Sequence, residues 1–155
     1  MHPTVERVAA VLREHGVTGR IIELTEPART AADAAALVGC EVGAICNSLI
    51  FAADDAPVLV LTSGAHRVDT AEVAALLGAA RVERATPDLV RAATGQVIGG
   101  VAPVGHPAPL RTLVDTWLDK YDVVWAAGGH AHTVFPTSYA ELLRITGGTP
   151  ADIGA

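Results

Sequence analysis

The chain has 155 residues, half of them apolar and 18% charged, with a net charge of −6. That is long enough to bury a core, too apolar for disorder, and too acidic for a broad basic face toward duplex DNA or an anionic membrane. No apolar run reaches the ~18 residues that cross a bilayer, and Met1 to Glu6 lacks the blocks of a signal peptide, so a cytoplasmic protein is expected.

In chain order, Val5, Val8, Ala9 and Leu12 share one helical face, with Thr4 as the predicted cap and Gly16 as the stop. Ile21 to Leu24 reads as a short strand. Thr30 with Asp33 forms a capping box in front of a second helix that ends at Gly39. Ile45 to Phe51 and Pro57 to Leu61 are buried strands of a hairpin whose loop, Ala-Ala-Asp-Asp-Ala, is expected to be about five residues long, its aspartates simply solvated. Asp69 with Glu72 starts a third helix that stops at Gly78, and Arg81 to Arg84 alternates like an exposed strand. Thr86-Pro87 opens a fourth helix, closed by Gly95. Leu110 to Val114 is a strand, Asp115 caps a short helical piece, and Val123–Ala127 and Ala131–Phe135 flank the Gly128-Gly129 turn. Ser138 with Glu141 opens a last helix that ends at Gly147-Gly148. Hairpins alternating with helices predict an α+β fold: one domain over 1–155, with a curved, mostly antiparallel, barrel-like mixed sheet and helices around it. Residues 148–155 are expected to fray.

Between Gly95 and Pro107 stand four glycines and two prolines, which no helix or central strand accommodates. Gly99 and Gly100 allow another molecule to approach the main chain, and Pro103 and Pro107 stiffen the second half of the loop. Such a loop can connect two elements or form the floor of a pocket.

The titratable residues point weakly to chemistry. His130 and His132 lie two apart on a predicted strand, but no carboxylate or third ligand stands at a telling spacing, so neither metal nor cofactor is expected. Cys40 and Cys46 read as reduced structural thiols, and Ser48 and Ser63 lack the glycine pattern of a nucleophile turn. Spacing alone leaves His132 most simply as a hydrogen-bonded structural residue.

Taken together, Ala28–Ala32, Val42–Phe51, Pro57–Leu61, Ser63-Gly64 with Arg67-Val68-Asp69, the loop Gly99–His106 and the run Gly129–Phe135 resemble the YbaK and prolyl-tRNA-synthetase-associated editing domain family. The resemblance extends over roughly residues 20 to 147, in the family's order and spacing. It implies a free-standing deacylase that cuts the ester between a wrong amino acid and the terminal adenosine of a transfer RNA. Water would attack with help from the substrate's ribose hydroxyl, and no metal would take part. The acceptor end of the aminoacyl-tRNA is the implied partner, with a synthetase as an expected second one. Asn47, Gly99, Gly100 and His132 are the implied catalytic residues, the loop from Gly99 to Pro103 offering its amides to the oxyanion. Thr30, Ser48, Leu49, Ser63, Ile98, Val101, Pro103 and Gly105 are implied for substrate binding, in a small apolar pocket.

One position departs from the family. Its lysine falls at Asn47, and Lys120 is the only lysine of the chain. A neutral amide donates a hydrogen bond but no charge, a difference of about 1 to 1.5 kcal/mol, or roughly tenfold in rate. The alternative implied is a weakened or inactive module that binds an aminoacylated end or a small ligand. Arg29 and Arg67 are the candidates to replace the missing charge.

Overall fold

The computed structural model describes residues 2–154. Helix α1 (Pro3–Glu14) buries Val5, Val8 and Leu12. Its cap is His2, not Thr4: the His2 Nδ1 accepts the Thr4 N–H at 3.1 Å, and Pro3 in the first helical position has no N–H to satisfy. Strand β1 (Ile22–Glu23) leads to α2 (Ala31–Val38), where the Thr30 hydroxyl accepts the Asp33 N–H as the capping pattern predicts.

Strands β2 (Ile45–Ala53) and β3 (Ala56–Ser63) are joined by Asp54 and Asp55 alone, at φ +48° and +70°. The expected five-residue loop is therefore a two-residue turn, because both aspartates take the left-handed backbone that a tight hairpin requires. Nor is Asp54 merely solvated. Its carboxylate accepts the N–H groups of Ala80 and Arg81 at 3.0 and 2.9 Å and ties the turn to the next strand.

The chain continues through α3 (Thr70–Leu77), β4 (Val82–Arg84), α4 (Pro87–Thr94), β5 (Arg111–Asp115), β6 (Val124–Ala127), β7 (Thr133–Thr137) and α5 (Tyr139–Thr146) to β8 (Thr149–Ala151). All eight strands join one sheet in the order β1-β7-β6-β2-β3-β5-β8, with β4 attached to β2. Four pairings are antiparallel and three (β2 with β6, β3 with β5, β5 with β8) are parallel, so the sheet is mixed as expected. It is open rather than barrel-like: β1 and β8 stand at the two ends of the order and do not pair. Leu59, Leu61, Leu118, Phe135 and Leu142 fill the core without exposure. No helix among the described residues is long and apolar enough to cross a membrane.

The expected frayed tail is a correction. β8 pairs in parallel with β5, Ile153 is fully buried, and its carbonyl accepts the Asp69 N–H at 2.8 Å at the start of α3. Thr-Pro-Ala is too short to show strand periodicity, and only the edge of β5 makes it a strand. Ala155 lies outside the described residues.

Candidate active site

The site begins as a gap in hydrogen bonding. β2 is matched with β3 from Cys46 to Ala53, but its other edge is shared by two short partners: β6 takes Ile45 and Cys46, and β4 takes Phe51 to Ala53. Residues 47 to 50 have no strand beside them there. The Ile50 carbonyl, which accepts the Ala85 N–H at 3.1 Å, marks the direction of that edge. By the two-residue period of a strand, the main-chain groups of Ser48 face the same way. A cavity of about 270 Å³ occupies the gap, walled by the start of α2, by β2, by Trp125 to Ala127 of β6, by the glycine loop and by the connector before β7.

The glycine loop is rigid because Gln96 holds it from inside. This side chain is 3% exposed; its Oε1 accepts the Ala102 N–H at 2.7 Å and its Nε2 donates to the Val104 carbonyl at 3.2 Å. The Thr94 hydroxyl accepts the Gln96 N–H, fixing where the staple starts. At the far end the His106 Nε2 lies 2.9 Å from the Ala102 carbonyl; since a carbonyl only accepts, Nε2 carries the proton. Burial holds the His106 pKa below its ordinary value of 6.5; the Ala102 bond opposes this and the Arg7 charge adds to it.

Two neighbouring glycines play different parts in the loop. Gly99 has φ +98° with open space where a side chain would stand, so its need for glycine is conformational. Gly100 is a packing point: a Cβ there would lie 2.6 Å from the His130 Cα. The loop thereby rests directly on the connector of residues 128 to 132. The Gly100 N–H donates to the Val97 carbonyl at 3.3 Å.

His130 and His132 both lie in that connector, not on a strand, since β7 begins at Thr133. Only His130 lines the cavity. Its Nδ1 accepts the His132 N–H at 3.2 Å, which leaves Nε2 as the protonated nitrogen of the neutral ring, a donor. The His132 ring stacks on it, centroids 5.1 Å apart, and among the described residues no third metal ligand joins the pair.

Of the residues singled out from the sequence, the cavity brings together Thr30, Asn47, Ser48, Leu49, Ile98, Gly99 and Val101. Gly100, between Gly99 and Val101, packs on the His130 backbone and is not among the residues lining the cavity. The lining does not include His132, Ser63, Pro103 or Gly105. Ser63 is fully buried, its hydroxyl donating to the Gly43 carbonyl and its N–H to the Asp115 carboxylate, which locks β3 to β5. Pro103 and Gly105 line a separate groove with Val11 and Leu110. The Ser48 Oγ is buried with no hydrogen-bond partner among the described residues. Cys46 also lines the cavity, but burial, then the Asp115 charge, push its thiol far above the usual range, so it supplies no thiolate.

The structure adds four residues that sequence reading overlooked or gave another part: Gln96, Arg84, Trp125 and His130. Gln96 had a signal, being the one polar side chain between Gly95 and Pro103. Arg84 had none, because its place depends on β4 pairing with β2.

Residues 25–145 match the family model described as the aminoacyl-tRNA editing domain. Over 137 residues the chain is 34% identical to a proline–tRNA ligase of Nitratidesulfovibrio vulgaris, covering 81% of this chain and 24% of that enzyme. A proline–tRNA ligase of Geobacter sulfurreducens is 27% identical, with 88% and 26% covered. The chain thus spans about a quarter of the length of these curated relatives. A crystal structure described as a candidate trans-editing enzyme for prolyl-tRNA synthetase superposes with TM-score 0.94 at 40% identity, covering 100% of this chain and 99% of the other. With the family model matched over most of its length, the chain belongs to the aminoacyl-tRNA editing domain family.

Proposed function

We propose that the cavity hydrolyses the ester between a wrongly attached amino acid and the terminal adenosine of a transfer RNA, and that it does so in trans, in the cytoplasm. The observation that carries this reading is the single hollow in which Asn47, Ser48, Leu49, Ile98, Gly99 and His130 meet. Its volume of about 270 Å³ suits an aminoacyl group with a small side chain and part of a ribose. Water, polarised by the neighbouring ribose hydroxyl, adds to the ester carbonyl. The bond from that carbon to the ribose oxygen then breaks, releasing a free amino acid and a terminal hydroxyl.

The developing oxyanion is placed at the stapled loop. Because the Gly100 amide is engaged with Val97, the donors assigned to the oxyanion are the amides of Gly99 and Val101. A loop held by Gln96 does not need to reorganise as charge develops. The Nε2–H of His130 and the Asn47 amide are neutral donors to the ribose or the carbonyl. Leu49, Ile98 and Val101 set the size limit, where one methylene is worth about 1 to 3 kcal/mol. The neighbouring structure described as a candidate trans-editing enzyme supports action on a separate transfer RNA, with a synthetase as partner. The test is a panel of mischarged transfer RNAs followed for ester loss. Acceleration over buffer for at least one small side chain supports the reading, and no acceleration for any member ends it.

Asn47 favours a second reading, a binding module with little catalysis. Replacing Asn47→Lys separates the two. A large gain in hydrolysis marks the native site as weakened, whereas an unchanged or reduced rate marks asparagine as a working residue.

A further inference from the structure

The cavity carries a charge pattern unlike the rest of the molecule. The chain has 17 acidic against 11 basic residues, yet no aspartate or glutamate lines the cavity while two arginines, Arg29 and Arg84, do. They stand on different walls: Arg29 just before the α2 cap, Arg84 at the end of β4. Neither guanidinium is in an ion pair among the described residues, where the ion pairs are His66–Asp115, Arg81–Glu83 and Arg144–Glu141. Two acids close to them in sequence make other contacts. Asp33 accepts the backbone N–H of Arg29 at 3.3 Å, and Glu83 is bound by Arg81.

Arg84 is also held in place. It lies opposite Phe51 in the β2–β4 register, and its guanidinium sits 5.7 Å from the centre of that ring, on a phenylalanine only 2% exposed. A cation on an aromatic face keeps its edge donors available for an anion. Arg67, the other candidate from the sequence, is absent from the cavity lining, and its carbonyl packs on Gly154. Two guanidinium groups outside any ion pair among the described residues, beside a hollow whose lining holds no acid, mark a site for an anion, and the forked geometry suits phosphate oxygens.

We propose that Arg29 and Arg84 form a phosphate subsite at the mouth of the cavity, which binds the phosphodiester on the 5′ side of the terminal nucleoside. They thereby supply from two walls the positive charge that Asn47 lacks. The nature of the phosphate donor, a nucleic-acid end, rests on the deacylase reading; the anion site does not. The subsite orients the substrate and takes no part in bond breaking, so both arginines are positioning residues.

The experiment compares adenosine with adenosine 5′-monophosphate, neither of which has an ester to lose. Binding to the full chain is followed by NMR titration at low and high salt. The expected result is tighter binding of the monophosphate by roughly tenfold at low salt, with the advantage shrinking as salt rises. Arg29→Gln with Arg84→Gln abolishes the advantage and leaves adenosine affinity in place, and Arg84→Lys restores part of it. Both side chains are exposed, and a melting curve checks that the double variant folds. Equal affinity for the two probes, or an advantage that survives the double substitution, overturns the inference. Hydrolysis assays then keep the two claims apart: ester loss without a phosphate advantage sinks the subsite alone, and a phosphate advantage without ester loss leaves the subsite standing while the deacylase falls.

Discussion

Along one edge of β2 every residue from Cys46 to Ala53 has a partner on β3, whereas along the other the partners stop at Cys46 and resume at Phe51. The first edge lies in the core, beside Leu59 and Leu61, and shares its hydrogen bonds only within the protein. The second leaves a stretch of main chain facing a cavity, where water or a ligand must complete the pairing. The same strand is thus structural on one side and receptive on the other. What separates the two is the length of the neighbouring strands: β6 and β4 are too short to meet.

Breaking the wall that faces the open edge has the largest expected effect. Gln96→Leu removes both bonds that hold the loop and leaves the buried Ala102 N–H and Val104 carbonyl unpaired, at about 1 to 3 kcal/mol each. We expect a loss of about 3 kcal/mol in chemical denaturation and a fall in kcat larger than any change in KM. Gly100→Ala comes next, because its methyl meets the His130 backbone and forces loop and connector apart. A cost of about 1 to 3 kcal/mol is expected, typical of an overpacked contact. Gly99→Ala meets no atom and differs in kind, its cost arising from φ alone.

Ser48→Ala sharpens the contrast between the edges. The Oγ has no partner among the described residues, so stability should stay within about 0.5 kcal/mol while hydrolysis falls. A clear loss of stability with unchanged rate would show the hydroxyl to be structural. The smallest effect concerns His106, whose lowered pKa means that the unfolded chain takes up a proton more readily. Stability is therefore complete above 6.5 and declines as the pH falls from 6.5 toward the lowered folded value. His106→Gln should flatten that acid limb in melts recorded across the range.

Much of the fold was legible because its signals are local. The caps at Thr30, Asp69, Thr86 and Ser138 each accept the N–H expected from their spacing, and the left-handed glycines close α2 to α5 at 39, 78, 95 and 147. What escaped notice depends on distant partners. The β8 strand exists because β5 has a free edge, and the sheet stays open because β1 and β8 have no reason to meet. At the site, the matched segments led to the loop and to β2, but not to the arrangement between them. Whether His130 or His132 faces the cavity is decided by the first turn of the connector, where the His132 N–H bonds to His130 and sends the two rings into one stack. No spacing rule distinguishes them.

The central claim, that the hollow beside β2 sorts aminoacyl groups by size while their esters are cut, is tested most directly by ranking deacylation rates against side-chain volume. The wild-type chain is compared with Val101→Ala, which removes two methyl groups from a wall residue only 5% exposed. The account predicts a sharp cut-off in the wild type that moves to larger side chains in the variant. An identical cut-off in both proteins, or rates indifferent to size, would contradict it.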